Sequence, residues 1–450
     1  MPGGHPVQVR EVETEKESHA YRSPLKFGGV VTTHATLLSV RLRVEAPGGR
    51  TAWGSGSMPL GNVWSFPSKK VPPDLTLCAL ETLAEKIAAS LPDLGDRAHP
   101  IELAHRWESE WLDLAAQTTR ELALAEPIPR LATLVCASPF DAALHDAYGR
   151  LHGRHVYECY GADWVGEDLS RYLDERFQEK SLDAYVLRRP RPRLPLYHLV
   201  GALDTLDPDD VKEHIRDGLP NTLGEWIERD QLTHLKIKLN GSEAAWDIGR
   251  ILGVERVVVE TQARRNVKRW VYSLDFNEQC PHVEYLLEVL RKVKEASAAA
   301  FDRVAYVEQP TARDLRAHLE IKMHRAAALK PVVIDESLED YESLLLAREQ
   351  GYSGVALKAC KGQSQSLLLA AAAQEFGMFL CVQDLTCPGQ SFLHSASLAA
   401  HIAPVTAVEG NARQYCPAAN AVWAARFPGV FTVRDGQIET GGLVGPGLGY

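Results

Sequence analysis

Eight short apolar runs, each followed by a helix-length stretch, restrict this chain more than any other feature. They are residues 194–200 (LPLYHLV), 235–239 (LKIKL), 270–276 (WVYSLDF), 305–310 (AYVEQP), 331–337 (PVVIDES), 354–358 (GVALK), 378–384 (MFLCVQD) and 405–410 (VTAVEG). Buried strands alternating with helices over about 215 residues have the size and rhythm of an α/β (β/α)8 barrel of the TIM type, which takes ~250. A doubly wound open sheet would bring a glycine-rich nucleotide loop after its first strand, and none follows residue 200.

Upstream of a Pro- and Arg-rich linker (residues 187–195, LRRPRPRLP) the texture differs. Residues 30–44 are β-branched and partly alternating, Pro47-Gly48-Gly49 supplies a turn, and TAWGSGSM resumes an extended pattern, which predicts an antiparallel hairpin. Helices are predicted near 75–90, 100–125 and 139–152, the last with Ser138 as its N-cap. The expected organisation is a flexible arm at 1–21, polar and without a period, an α+β domain at 22–155, the barrel at 190–410, and a C-terminal segment at 411–450.

Composition excludes several function classes. Lys plus Arg number 49 against 59 Asp plus Glu, a net charge of −10, so the chain lacks the cationic excess that a nucleic-acid or anionic-membrane partner requires. No apolar run approaches the ~18 residues of a membrane span, and the first 22 residues lack the basic-then-apolar order of a signal peptide. The eight cysteines are scattered without a Cys-x-x-Cys pair. A cytoplasmic protein with free thiols is expected.

Barrel active sites form where strands end, and five consecutive runs end in ionisable groups: Lys236 with Lys238, then Asp275, Glu308, Asp335 and Lys358. Lys236 and Lys238 are two apart, so a strand points both to one face, and mutual repulsion is expected to favour a neutral amine on one of them. Asp275, Glu308 and Asp335 should converge at one side of the barrel mouth. They could pair with the neighbouring lysines, but three anions with no histidine suit a hard divalent cation, Mg²⁺ or alternatively Mn²⁺, better than zinc. Lys358 ends the sixth run, opposite the second. A metal-held carboxylate would thus have Lys238 on one face and Lys358 on the other, a geometry for removing the α-proton. Lys361, in the looser Cys-Lys-Gly-Gln stretch, competes with Lys358 for this role.

The words KIK (236–238), DFNE (275–278), VEQP (307–310), DES (335–337) and ALKACKG (356–362), in that order, resemble the enolase superfamily, specifically its muconate lactonizing enzyme subgroup. The helix SPFDAALHDAYGR (138–150) and the terminal GPGLG (445–449) are similar to that family too. The resemblance implies a capping domain over a modified barrel, with residues 411–450 returning to it. It also implies cap loops near 22–27 (RSPLKF) and 54–64 (GSGSMPLGNVW) that close over a small-molecule carboxylate, and self-association into a homo-oligomer. Its chemistry would be Mg²⁺-assisted proton abstraction through an enediolate with Lys238 and Lys358 as acid/base groups. Lys236 would tune the site, and Asn277 and Glu336 would orient metal or lysine. Racemisation or epimerisation is the leading expectation. β-Elimination, as in a dehydratase, and cycloisomerisation use the same constellation, and a non-catalytic metal-binding barrel is a third possibility.

The sequence departs from the family in places. Gly362-Gln363 replaces a Gly-Gly, extra residues fill 253–271, and Glu409-Gly410-Asn411 stands where dipeptide epimerases carry Asp-x-Asp. No histidine follows the seventh run (CVQDLTCPG), so the His-Asp base of the mandelate racemase subgroup is not expected.

Overall fold

The structure, a computed structural model, describes residues 5–27 and 30–450. Its first elements are strands β1 (Gln8–Phe27), β2 (Val30–Glu45) and β3 (Thr51–Pro59), an antiparallel sheet in the order β1-β2-β3. The β2–β3 pairing runs from Glu45↔Thr51 to Leu37↔Pro59 around the Pro-Gly-Gly turn, as alternation predicts. The flexible arm is corrected. Residues 8–20 pair with β2 from Gln8↔Glu45 to Ala20↔His34, while residues 1–4 lie outside the described residues. Most side chains of this edge strand are exposed, which is why its composition reads as an arm. Its order comes from the main-chain ladder and from cross-strand ion pairs, Arg43–Glu11 and Arg41–Glu13, each at 2.9 Å.

Four helices follow: α1 (Asn62–Ser65), α2 (Pro73–Ser90), α3 (Pro100–Glu121) and α4 (Arg130–His152). Ser138 does not cap α4, which begins eight residues earlier and carries Pro139 in its interior. Proline lacks the N–H that would reach the Val135 carbonyl. The Ser138 hydroxyl donates to that carbonyl at 2.9 Å, so the helix passes through proline with the acceptor satisfied.

Helix α4 is buried on nearly every face, and β3 lies directly on it. A Cβ at Gly54 would stand 2.1 Å from Ala147 N, and one at Gly56 2.1 Å from Pro139 O, so only glycine permits this approach. Gly56→Ala is expected to cost about 3 kcal/mol by forcing two backbones apart. A lowered urea midpoint checks this, and an unchanged one would mean that strand and helix can separate freely.

The remaining chain forms a closed barrel of eight parallel strands in sequence order: β4 (Arg193–Val200), β5 (His234–Lys238), β6 (Val271–Asp275), β7 (Val304–Glu308), β8 (Val332–Ile334), β9 (Gly354–Lys358), β10 (Phe379–Gln383) and β11 (Val408–Glu409). Pairing of Val408 with Leu196 and of Glu409 with Tyr197 closes it. The extra residues ahead of β6 extend a helix, Ala244–Arg264, on the barrel's outside. Strand β12 (Gln437–Glu439) adds antiparallel to the start of β4, after which the tail reaches α4. There Leu448 N donates to Asp146 at 3.0 Å, and Arg150 donates to the Tyr450 carbonyl at 2.6 Å. Among the described residues, no helix is long and apolar enough to cross a membrane.

Candidate active site

Strand alternation builds the site in two layers. Tyr197, Tyr306, Val333, Ala356, Cys381 and Ala407 pack together inside the barrel. Two residues further along the chain in each case, on the same face and at or just past the carboxyl ends of the strands, stand Leu199, Glu308, Asp335, Lys358, Gln383 and Glu409. Lys236, Lys238 and Asp275 complete this layer from β5 and β6. The apolar layer is a floor, and the charged one above it is almost wholly buried.

The structure brings the five predicted strand ends together. Lys236 Nζ lies 2.8 Å from Glu308, 3.0 Å from Glu409 and 3.1 Å from Asp275. Lys238 Nζ lies 2.5 Å from Asp275 Oδ2, and Lys358 Nζ 2.7 Å from Asp335 Oδ2. Lys361 joins them, donating to the Asp335 carbonyl at 2.5 Å and lying 3.2 Å from its Oδ1.

Repulsion between Lys236 and Lys238 does not set the charge of Lys236. Burial alone would push its ammonium down, but Glu308, Glu409 and Asp275 outweigh that and raise it well above the ordinary range. Against the same cost of burial, Lys238 and Lys236 hold the Asp275 carboxyl far below the usual range, and Lys358 and Lys361 depress that of Asp335. Glu308 is raised by burial and by the adjacent Asp275 and Asp335 charges. Glu336 is pushed up to about 7 by burial, with Asp335, Glu278 and Asp275 adding to it.

The donors fit a hard divalent cation in kind: Asp275, Glu308 and Asp335 offer only carboxylate oxygens and crowd one another. Glu336 Oε2 and Gln383 Oε1 are buried beside them without a hydrogen-bond partner among the described residues. They are not gathered into a ready cage. Among the described residues no three His, Cys, Asp or Glu side chains are so placed, because ammonium groups engage these carboxylates.

Asn277 reaches Asp275 with its backbone N–H (2.9 Å), its φ of 45° turning the chain back on the carboxylate. Glu336 faces the cap, accepting a hydrogen bond from Trp64 Nε1 at 2.9 Å. Trp64, in α1, falls within the 54–64 stretch expected over the substrate. Arg22, in the other stretch, binds Asp217 at 2.5 Å and lines a cavity of about 430 Å³ with His198, Asp204 and Trp226.

Gln383 and Glu409 also enter this layer; each stands one residue before the end of its run, so reading only the last residue of a run passes over them, whereas the period of two from Cys381 and Ala407 reaches them. Gln383 donates to Glu308, and Glu409 is held by Asn411 Nδ2 at 2.6 Å. Their partners lie on other strands, Glu308 for Gln383 and Lys236 for Glu409, so neither pairing is visible within one segment.

An enolase C-terminal domain-like family model matches residues 219–450. No curated protein matches the chain in sequence. Among solved structures it is similar to a muconate lactonizing enzyme from Pseudomonas fluorescens complexed with muconolactone (19% identity, TM-score 0.61, covering 98% of this chain and 96% of that one). It is similar also to the L-Ala-D/L-Glu epimerase from Bacillus subtilis in a substrate-liganded complex (18%, 0.61, 98% and 98%). A third is an enolase from Bradyrhizobium complexed with magnesium and mandelic acid (16%, 0.59, 98% and 95%). These likenesses establish the shared fold.

Proposed function

The chain belongs to the enolase superfamily, in its mandelate racemase and muconate lactonizing enzyme branch, and from that premise we propose a Mg²⁺-dependent racemase or epimerase acting α to a carboxylate. It would work in the cytoplasm as a homo-oligomer on an amino-acid-derived or related acid. The observation that carries the reading is the placement of Lys238 and Lys358 on opposed strands, with the carboxylates of three intervening strands between them.

Asp275, Glu308 and Asp335 are the residues that would hold the cation, which supplies Lewis-acid stabilisation of the charge developing on the substrate carboxylate. Asp335 holds Lys358 as an ammonium, so Lys358 is set to deliver a proton. Lys238 would act as the neutral amine, its own proton first released to solvent from the pair with Asp275, and would take the α-proton from the other face; for the opposite enantiomer the two lysines exchange protonation states and roles. Lys236 stays charged and keeps Glu308 and Glu409 in place. The floor of Tyr197, Tyr306 and Val333 excludes water from below.

One observation favours a second reading. Glu409, at the position where an ammonium-binding pair would sit, is already neutralised by Lys236 at 3.0 Å. A substrate without an ammonium there fits cycloisomerisation or β-elimination, with one lysine moving the proton and the other balancing charge.

Proton NMR in D₂O with Mg²⁺, across amino acids, N-acyl amino acids, dipeptides, sugar acids and unsaturated diacids, tests both. Loss of an α-proton signal with the wild type, reduced about 10²–10⁴-fold in Lys238→Ala and in Lys358→Ala, is the expected result. A lactone or dehydrated product without exchange transfers the assignment to the second reading. Wild-type turnover that survives in both variants would remove the lysines from the chemistry.

A further inference from the structure

Trp64 belongs to the cap, yet both its ring face and its N–H are engaged by the barrel. Its Nε1–H donates to Glu336 Oε1 at 2.9 Å, and Lys358 Nζ lies 4.3 Å from the ring centroid, with Lys361 Nζ at 5.7 Å. Trp64 is 5% exposed, Glu336 1% and Lys358 4%, so these contacts are made out of water. The strand leading into α1 is itself seated on the barrel: Met58 Sδ touches Cys387 Sγ, in the loop after β10, at 3.5 Å.

An indole face attracts an ammonium through its quadrupole, most strongly when both are desolvated. Lys358 therefore has Asp335 at 2.7 Å and the Trp64 ring as a second, uncharged contact. Lys361 is placed differently, fixed by the Asp335 main-chain carbonyl and further from the ring. The ring contact also differs from the carboxylate contact in kind. A carboxylate that turns toward a cation takes its hydrogen bonds with it, whereas the ring stays where α1 and Glu336 hold it.

We infer that Trp64 is a positioning residue for Lys358: its face holds the ammonium, its N–H locks the ring to Glu336 next to Asp335, and the acid/base arrangement is complete only when the cap is seated. The inference rests on the reading of Lys358 as an acid/base group. It gives α1 a defined part in the chemistry beyond covering the substrate. It also separates the two lysines of the ALKACKG segment, since Lys358 is the nearer to the cap's ring, at 4.3 Å against 5.7 Å for Lys361.

The test uses the full chain with Trp64→Phe, which keeps a ring but no N–H, and Trp64→Leu, which keeps neither. Trp64→Met replaces Trp64→Leu if leucine does not fold. Reductive methylation with formaldehyde and borohydride, in EDTA and in Mg²⁺, is read by peptide mass spectrometry at Lys358 and at exposed Lys294. Lys358 is expected to label about tenfold faster in the π-free variant, the scale of a desolvated cation–π contact, with Lys294 unchanged and the phenylalanine variant in between. With an exchanging acid, kcat should fall by about the same factor while KM holds, with partial rescue by phenylalanine. A folded π-free variant that labels Lys358 at the wild-type rate, or that exchanges with wild-type kcat, overturns the inference. If labelling responds but the wild type exchanges no acid at all, the hold of Trp64 on Lys358 stands and the proposed reaction falls instead.

Discussion

Lys236→Met is expected to destabilise the metal-free protein by about 3–5 kcal/mol, because removing one partner of a buried ion cluster strands the others. Lys236 is 2% exposed, and its ammonium stands within 3.1 Å of Asp275, Glu308 and Glu409. Methionine fills the space but leaves Glu308 and Glu409 buried without a cation, Asp275 alone keeping Lys238, and protonation or a bound metal can then relieve them. A divalent cation should consequently stabilise the variant more than the wild type, by mass action on the folded state alone. Urea unfolding in EDTA and in saturating Mg²⁺ measures both effects. A loss under about 1 kcal/mol in EDTA, the scale of an exposed pair, would show that Lys236 does not hold the carboxylate layer together.

Acid should weaken the junction between cap and barrel. The His155 ring lies 4.6 Å from that of His401, which stacks on Tyr157 at 3.8 Å, and His394 Nε2 is 2.8 Å from Gln363 Oε1. Burial depresses His155 and His394 to about 4 and His401 to about 3. Asp141 and His145 face His394 with opposite effects, Glu158 partly offsets burial at His155, and His155 adds to the depression at His401. The folded protein keeps these rings neutral, whereas the unfolded chain protonates them near pH 6.5. The unfolded state therefore binds more protons below about 6.5, down to about 4 for His155 and His394 and to about 3 for His401, and stability falls as pH falls through that window. The contribution is complete above it and gone once the folded rings also protonate. At ~1.4 kcal/mol per unit the three together reach on the order of 10 kcal/mol. Urea midpoints from pH 7 to 4.5 should fall steeply, and less steeply in His394→Asn, which removes one titrating ring. An unchanged slope in that variant would place the acid sensitivity elsewhere.

Barrel and charged layer were legible for one reason. A strand's inward face is set by its own period of two, so Tyr306 predicts the direction of Glu308, and Ala356 that of Lys358, without knowledge of any other element. The same local logic erred where a partner decided the outcome. Polar residues 8–20 are ordered by a ladder on β2, and α4 continues through Pro139 because Ser138 takes over the Val135 carbonyl. Charge state was beyond local reading as well. Lys236 and Lys238 look mutually repelling along one strand, until carboxylates from β6, β7 and β11 are folded against Lys236.

The amino-acid sequence by itself determined the eight-strand rhythm, the face on which each strand presents its side chains, and the identity of the lysines and carboxylates at the strand ends. All of these follow from spacing within a single segment. Only the tertiary structure decided that Gln383 and Glu409 enter the ion cluster, that Trp64 of the cap lies over Lys358, and that β3 rests on the α4 backbone at Gly54 and Gly56. Each of those is a contact between segments far apart in the chain, and its energy depends on burial and on a partner's charge, which exist only once the chain has closed.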